Sequence, residues 1–448
     1  MRHVLPALLP AARPVVLVTI TLALAGCADA YHSLSTVREV AELSALQHDA
    51  RAIPQTTTRV NAAAEGRPPL RLALHETDGG RRDRVVVLVH GLLSDSEVWR
   101  FVRPRLAGEY DLIAVDLPGC GESDAPRPKK RGRDCYAQDA MAREVLTALR
   151  QRLADRPIDH RVTLVGHSLG GMLILRMMGD PAIRGEFDDV LGRVDGLVLM
   201  TPVDVAIEKD QPVFRELATA GPTMVFLGDV TGILRQRVAA STRDGVGEGC
   251  VAVREEADRT MAVLRHPMKR RAMQSIIRQA VPFRRGRPDW DRIDRIVAYY
   301  EAVDVPCLIL WGARDELFPV SMGYKVAAEV PGARLRVVPR AMHSLPTERP
   351  TLCAGMIHQF IDGRRDGAPR FAWLDGEYDG TPPPPQHDAP REQARGGDAA
   401  AEPTEEARPP RRQALLARRV GLLVETLIAH SPAPLSIEAV ERFAIGAK

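Results

Sequence analysis

The sequence predicts an α/β fold: a mostly parallel, twisted sheet flanked by helices, with a helical cap inserted late in the chain. Three observations carry that expectation. Short apolar runs bounded by turn residues recur at 85–89, 112–115, 162–165, 197–200, 308–311 and 335–338. They are too uniformly apolar for a sheet with one wet face, so they read as strands buried on both sides. Helix-period stretches at 139–153, 169–178 and 352–361 fall between or after these runs, as crossovers between parallel strands require. The alternation lapses over 204–303, where several helical patterns occur without a convincing buried strand.

In chain order, Arg2, His3 and Arg13 flank the start of an apolar run over 15–25. It is too short to span a bilayer and has the length of a signal-peptide core. The run ends in Leu24, Ala25, Gly26 and Cys27, which resembles the lipobox of bacterial lipoproteins. That resemblance implies lipidation at Cys27, export, and anchoring to the cell envelope by acyl chains. Ala28 after the cysteine implies the outer membrane. The alternative is a soluble secreted protein cut nearby. Residues 1–26 are therefore read as a signal peptide and 27–69 as a tether.

Residues 70–74, turned by Asp78, Gly79 and Gly80 into the run at 85–89, read as an antiparallel hairpin. The core is divided into 70–203 and 304–362 by the cap at 204–303. Over 363–412 the prolines 382–385 and mixed charges leave few aliphatic side chains, too little apolar surface to offset ordering entropy, so a disordered linker is expected. Within 413–448, Leu415, Leu416, Val420, Leu422, Leu423, Leu427 and Ile428 form an amphipathic helical pattern that docks either on its own domain or on a protein partner.

Composition narrows the function classes. The 448 residues are 45% hydrophobic and 27% charged, which excludes collagen-like, membrane-bundle and wholly disordered chains. A net charge of +3 gives no reason to expect a nucleic-acid partner. Besides Cys27 there are Cys120, Cys135, Cys250, Cys307 and Cys353, an odd set that cannot pair completely within the chain. Cys120 and Cys135 flank a polar loop and either form a local disulfide or remain thiols; Cys307 reads as a small buried hydrophobe. No Cys/His spacing suggests a metal, and no cofactor is expected.

The chemistry centres on Gly166-His167-Ser168-Leu169-Gly170, which follows a strand and opens a helix. That context turns the chain sharply and projects a serine hydroxyl, with glycines where side chains would clash. A serine needs a base oriented by a carboxylate. Among downstream histidines only His343 sits in a loop just past a strand; His266, His358, His387 and His430 fall in the insertion, a helix and the tail. Asp315, after the run at 308–311, is the orienting acid, with Glu316 beside it and Asp204 after the run at 197–200 as alternatives. Backbone amides of Leu92 and Leu169 are placed to stabilise a developing oxyanion. His90 reads as a turn-stabilising group, and the loop 116–123 as turn architecture.

Five blocks in order, 89–91, 116–123, 166–171, 311–315 and 342–344, resemble the α/β-hydrolase fold family over roughly 85–361. The resemblance implies a serine hydrolase acting on an ester or thioester, with a small-molecule or lipid substrate and the insertion shaping an acyl pocket. Ser168 stands where family members that open epoxides or carbon-halogen bonds carry Asp, which argues against those reactions. Hydrolysis of a carbon-carbon bond or acyl transfer would use the same triad. From a different class, a surface-anchored binding protein on a retired hydrolase scaffold is the competing reading.

Overall fold

In a computed structural model the described residues are 45–365, less 52, 64–68, 80–82, 130–133, 155, 158, 204–211, 248–249, 281–282 and 285–286. The apolar leader, Cys27, the tail pattern and the expected linker beyond 365 lie outside them, while residues 363–365 of that linker continue a helix. Eight strands form one sheet in the order β1-β2-β4-β3-β5-β6-β9-β10: β1 Thr56–Asn61, β2 Arg71–Thr77, β3 Arg84–Val89, β4 Asp111–Val115, β5 Arg161–His167, β6 Val194–Met200, β9 Cys307–Gly312 and β10 Arg334–Val338. From β4 to β10 every pairing is parallel. Each of the six apolar runs lies within one of these strands.

The burial pattern explains why they are strands. In β3, Val85, Val87 and Val89 join one apolar cluster while Val86 and Leu88 join another across the sheet. Alternate side chains point to opposite faces, and both faces are covered by helices, so both sets must be apolar. Helices α1 Gln138–Leu153 and α2 Leu169–Gly179 contribute to the first cluster, and the helix Pro350–Arg365 to the second.

The first expected pairing is corrected. Strand β2 does not form a hairpin with β3; it pairs antiparallel with β1 on one side and β4 on the other. Parallel β3 and β4 lie side by side, which leaves β4, rather than β3, at the edge where β2 can add. Strand β1, inside the stretch read as a tether, is part of the sheet. Its sequence, Thr-Thr-Thr-Arg-Val-Asn, is mostly exposed, as suits an edge strand, and offers no apolar run to detect.

Between β6 and β9 come α3 Pro212–Thr219, α4 Pro222–Val230, α5 Ile233–Val246, α6 Val253–Arg265, α7 Pro267–Ala280, a short ribbon of β7 Phe283–Arg284 with β8 Arg287–Pro288, and α8 Trp290–Ala298. Val238, Ala239, Val246, Val253, Ala257, Met261, Leu264 and Met273 build a separate apolar cluster closed by Phe101. Helix α8 belongs elsewhere: Ile293 and Ile296 join the main cluster under the sheet. The last helix of the expected insertion is thus part of the core layer.

Ionic and polar contacts pin this cap to the core. Arg100, 4% exposed, pairs with Glu256 at 2.7 Å and Glu255 at 3.3 Å on α6. Arg259 pairs with Asp95, and Lys269 donates to the carbonyl of Gly121 at 2.8 Å. Asp134 accepts from Gln279 at 2.7 Å and Ser275 at 3.3 Å on α7. On α4, by contrast, Met224, Phe226, Leu227 and Val230 are all exposed. No helix among the described residues is long and apolar enough to cross a membrane.

Candidate active site

Ser168 occupies the single residue between β5 and α2, with φ 52° and ψ −116°. This conformation is unfavourable for a side chain bearing Cβ and persists only where surroundings impose it. Here they do. A Cβ at Gly166 would stand 2.7 Å from backbone atoms of Gly170 and Gly171, and one at Gly170 only 2.2 Å from the carbonyl oxygen of Val89. The turn is further held by bonds from the Ser168 amide to the Met200 carbonyl, 2.9 Å, and from the Val203 amide to the Ser168 carbonyl, 3.2 Å.

Strain is concentrated at this end of the sheet. Among the described residues the non-glycine positions with positive φ are Leu93, Ser168, Thr201 and Arg340, and they follow β3, β5, β6 and β10. These are the carboxyl ends of parallel strands, where open α/β sheets place their chemistry.

His343 and Asp315 meet directly. Nδ1 of His343 lies 2.7 Å from Oδ2 of Asp315, and Oδ1 of the same carboxylate accepts from the amides of Leu317 and Phe318 at 3.0 and 2.9 Å. One oxygen thus orients the ring while the other fixes the carboxylate. Ser168, Asp315 and His343 are each 6% exposed, so little water competes for these bonds. Glu316 points to solvent, and Asp204 lies outside the described residues.

The ring of His167, the residue before Ser168, stands 5.1 Å from that of His343 between centroids. Its Nε2 donates to the His343 carbonyl at 3.1 Å, and Thr201 Oγ1 donates to the same oxygen at 3.0 Å. Burial, reinforced by His343, lowers the His167 pKa to about 3, so the ring is neutral at ordinary pH. The motif reading passed over His167 and Thr201; their partner is distant in sequence, and no local pattern marks them. From the cap, the carbonyl of Gly245 accepts the Ser344 amide at 2.8 Å; within the His343 segment itself, the half-buried Glu348 accepts the Met342 amide at 2.7 Å.

Leu169 is the first residue of α2, so its amide has no carbonyl one turn back to bond. Leu92 follows Gly91, where a Cβ would lie 3.0 Å from Cβ of Ser168; the loop leaving β3 therefore runs against the serine. His90 is fully buried, accepts the Leu117 amide at 3.0 Å and donates to the Gly91 carbonyl at 2.7 Å. Burial lowers its pKa, which suits a structural ring. Asp116 is the hub of its loop, accepting from the Ser96 and Glu122 amides, both at 2.7 Å, and meeting His75 at 2.9 Å. Cys120 and Cys135 carry no disulfide. Among the described residues no group of three or more His, Cys, Asp or Glu is placed to hold a metal ion.

Comparison with known proteins is consistent with this architecture. An uncharacterised protein of Mycobacterium tuberculosis is 26% identical over 284 residues, spanning 62% of this chain and 75% of that one. An uncharacterised hydrolase of Bacillus subtilis is 25% identical over 293 residues, 64% of this chain and 92% of that one. The crystal structure of an esterase from a Rhodococcus species superposes with a TM-score of 0.51 at 21% identity, covering 70% of this chain and 98% of that one. The sequence profile of the alpha/beta hydrolase fold matches residues 84–350, which include every strand from β3 to β10, and the chain belongs to the alpha/beta hydrolase fold family.

Proposed function

We propose that the chain is a serine hydrolase of carboxylic esters or thioesters, working through an acyl-enzyme on Ser168. His343 takes the hydroxyl proton as Ser168 attacks the carbonyl carbon, then gives it to the departing alcohol or thiol. Asp315 holds the ring with Nδ1–H directed at its carboxylate and stabilises the imidazolium formed. The amides of Leu92 and Leu169 receive the negative charge that develops on the carbonyl oxygen. Water then repeats the sequence and releases the acid. The observation that carries this reading is the buried 2.7 Å bond between His343 and Asp315, beside a serine held in a strained turn.

Ser168→Ala is the direct test. Hydrolysis of p-nitrophenyl esters and labelling by a fluorophosphonate probe are both expected to disappear in the folded variant. Residual turnover at the wild-type rate would end the assignment. A series of acyl chain lengths then sizes the pocket under the cap.

An apolar substrate at a membrane is the setting proposed for this chemistry. The expected lipidation at Cys27 would hold the chain to the bacterial cell envelope, at the outer membrane. The exposed apolar side chains of α4, Phe226 at 65% among them, support contact between the cap and lipid.

A further inference from the structure

We infer that His167 is a positioning residue, tying the base to the nucleophile by bonding the His343 backbone from within the nucleophile's own turn. The inference rests on the reading of Ser168 and His343 as nucleophile and base. A carbonyl oxygen only accepts, so the 3.1 Å contact requires the proton of His167 on Nε2. Nδ1 of a neutral ring then has none. Nδ1 is indeed buried without a hydrogen-bond partner, facing Gly91 where an added Cβ would approach it to 3.1 Å. The tautomer is set by these surroundings.

Three bonds close a circuit around the site. The Ser168 amide bonds Met200 at the end of β6; Thr201, next in the chain, bonds the His343 carbonyl; His167 bonds the same carbonyl and leads back to Ser168. Residues 176 positions apart are thereby registered by one side chain. Because His167 stays neutral, it adds no positive charge beside His343 when that ring is protonated during turnover. A lysine or arginine could make the same bond, but its charge would oppose the imidazolium.

The experiment compares His167→Gln with His167→Asn. The Gln amide nitrogen mimics Nε2 and reaches the His343 carbonyl; the Asn amide mimics Nδ1 and does not. Both are assayed on p-nitrophenyl esters, for rate of fluorophosphonate labelling and for thermal melting. His167→Asn is expected to lose on the order of 100-fold in kcat, the scale of a misplacement of about 1 Å, with KM unchanged and labelling slowed in parallel. His167→Gln should recover most of the rate and keep the acid limb of the pH profile, which reports the free enzyme's base. Equal turnover by the two variants would overturn the inference. So would a folded His167→Gln as slow as that expected for Asn, or one lacking the acid limb, since the limb would then belong to His167. If Ser168→Ala retains activity, it is the triad reading that fails; if Ser168→Ala is dead and the His167 variants match each other, only this inference fails.

Discussion

At Asp116 one carboxylate joins three segments of chain: the loop after β3 through Ser96, the loop after β4 through Glu122, and β2 through His75. Burial opposes its charge, but the His75 bond and the two backbone amides prevail and lower its pKa to about 2 from 3.8. A folded-state pKa below the unfolded value means that the native state holds fewer protons. The resulting stability is present above about pH 4 and is lost as pH falls toward 2, with a ceiling on the order of 2 kcal/mol. Urea unfolding should therefore show Asp116→Asn well below wild type at pH 6, with the gap narrowing by pH 3; a gap independent of pH would contradict it. The strand ends that carry Asp315 and His343 were legible in the sequence because each follows an apolar run buried in the sheet. The contact of His167 with the His343 carbonyl was not, since only the folded sheet brings the two together.

Among the elements, legibility followed burial on two faces. Runs such as 85–89 and 308–311 have no polar alternation to blur them, and their strands extend each run by only one to a few residues. Strand β1 has no such run, and the partner of β2 was misassigned because a local turn suggests a neighbour that the parallel order had already claimed. The cap shows a different dependence: its position rests on side chains that reach across from the core. Arg100 is buried between Glu255 and Glu256, and removing one member of a buried ion pair costs about 3–5 kcal/mol because its partners lose their counter-charge. Arg100→Met is expected to expose α6 to limited proteolysis while the sheet stays resistant. Equal resistance of cap and sheet in wild type and variant would show that the cap does not depend on this pair.

Across the whole molecule the sheet and the cap divide the labour. The sheet holds Ser168, Asp315 and His343 at the ends of β5, β9 and β10, while the cap bonds the loop of His343 through Gly245 and presents α4 outward. On the proposed setting, Phe226→Glu with Leu227→Glu, made in a Cys27→Ser background so that no acyl chain contributes, should cut sedimentation with phosphatidylcholine vesicles by about tenfold or more. Hydrolysis of a short, soluble ester should be unchanged; undiminished sedimentation would remove α4 from the account of lipid contact. The bond from the Ser344 amide to the Gly245 carbonyl adds a mechanical constraint. Any swing that lifts the end of α5 must either snap that link or drag the imidazole's loop along with it. On the proposed function, a cap movement that admits substrate also shifts the proton acceptor, so access and alignment are geared together through that one bond.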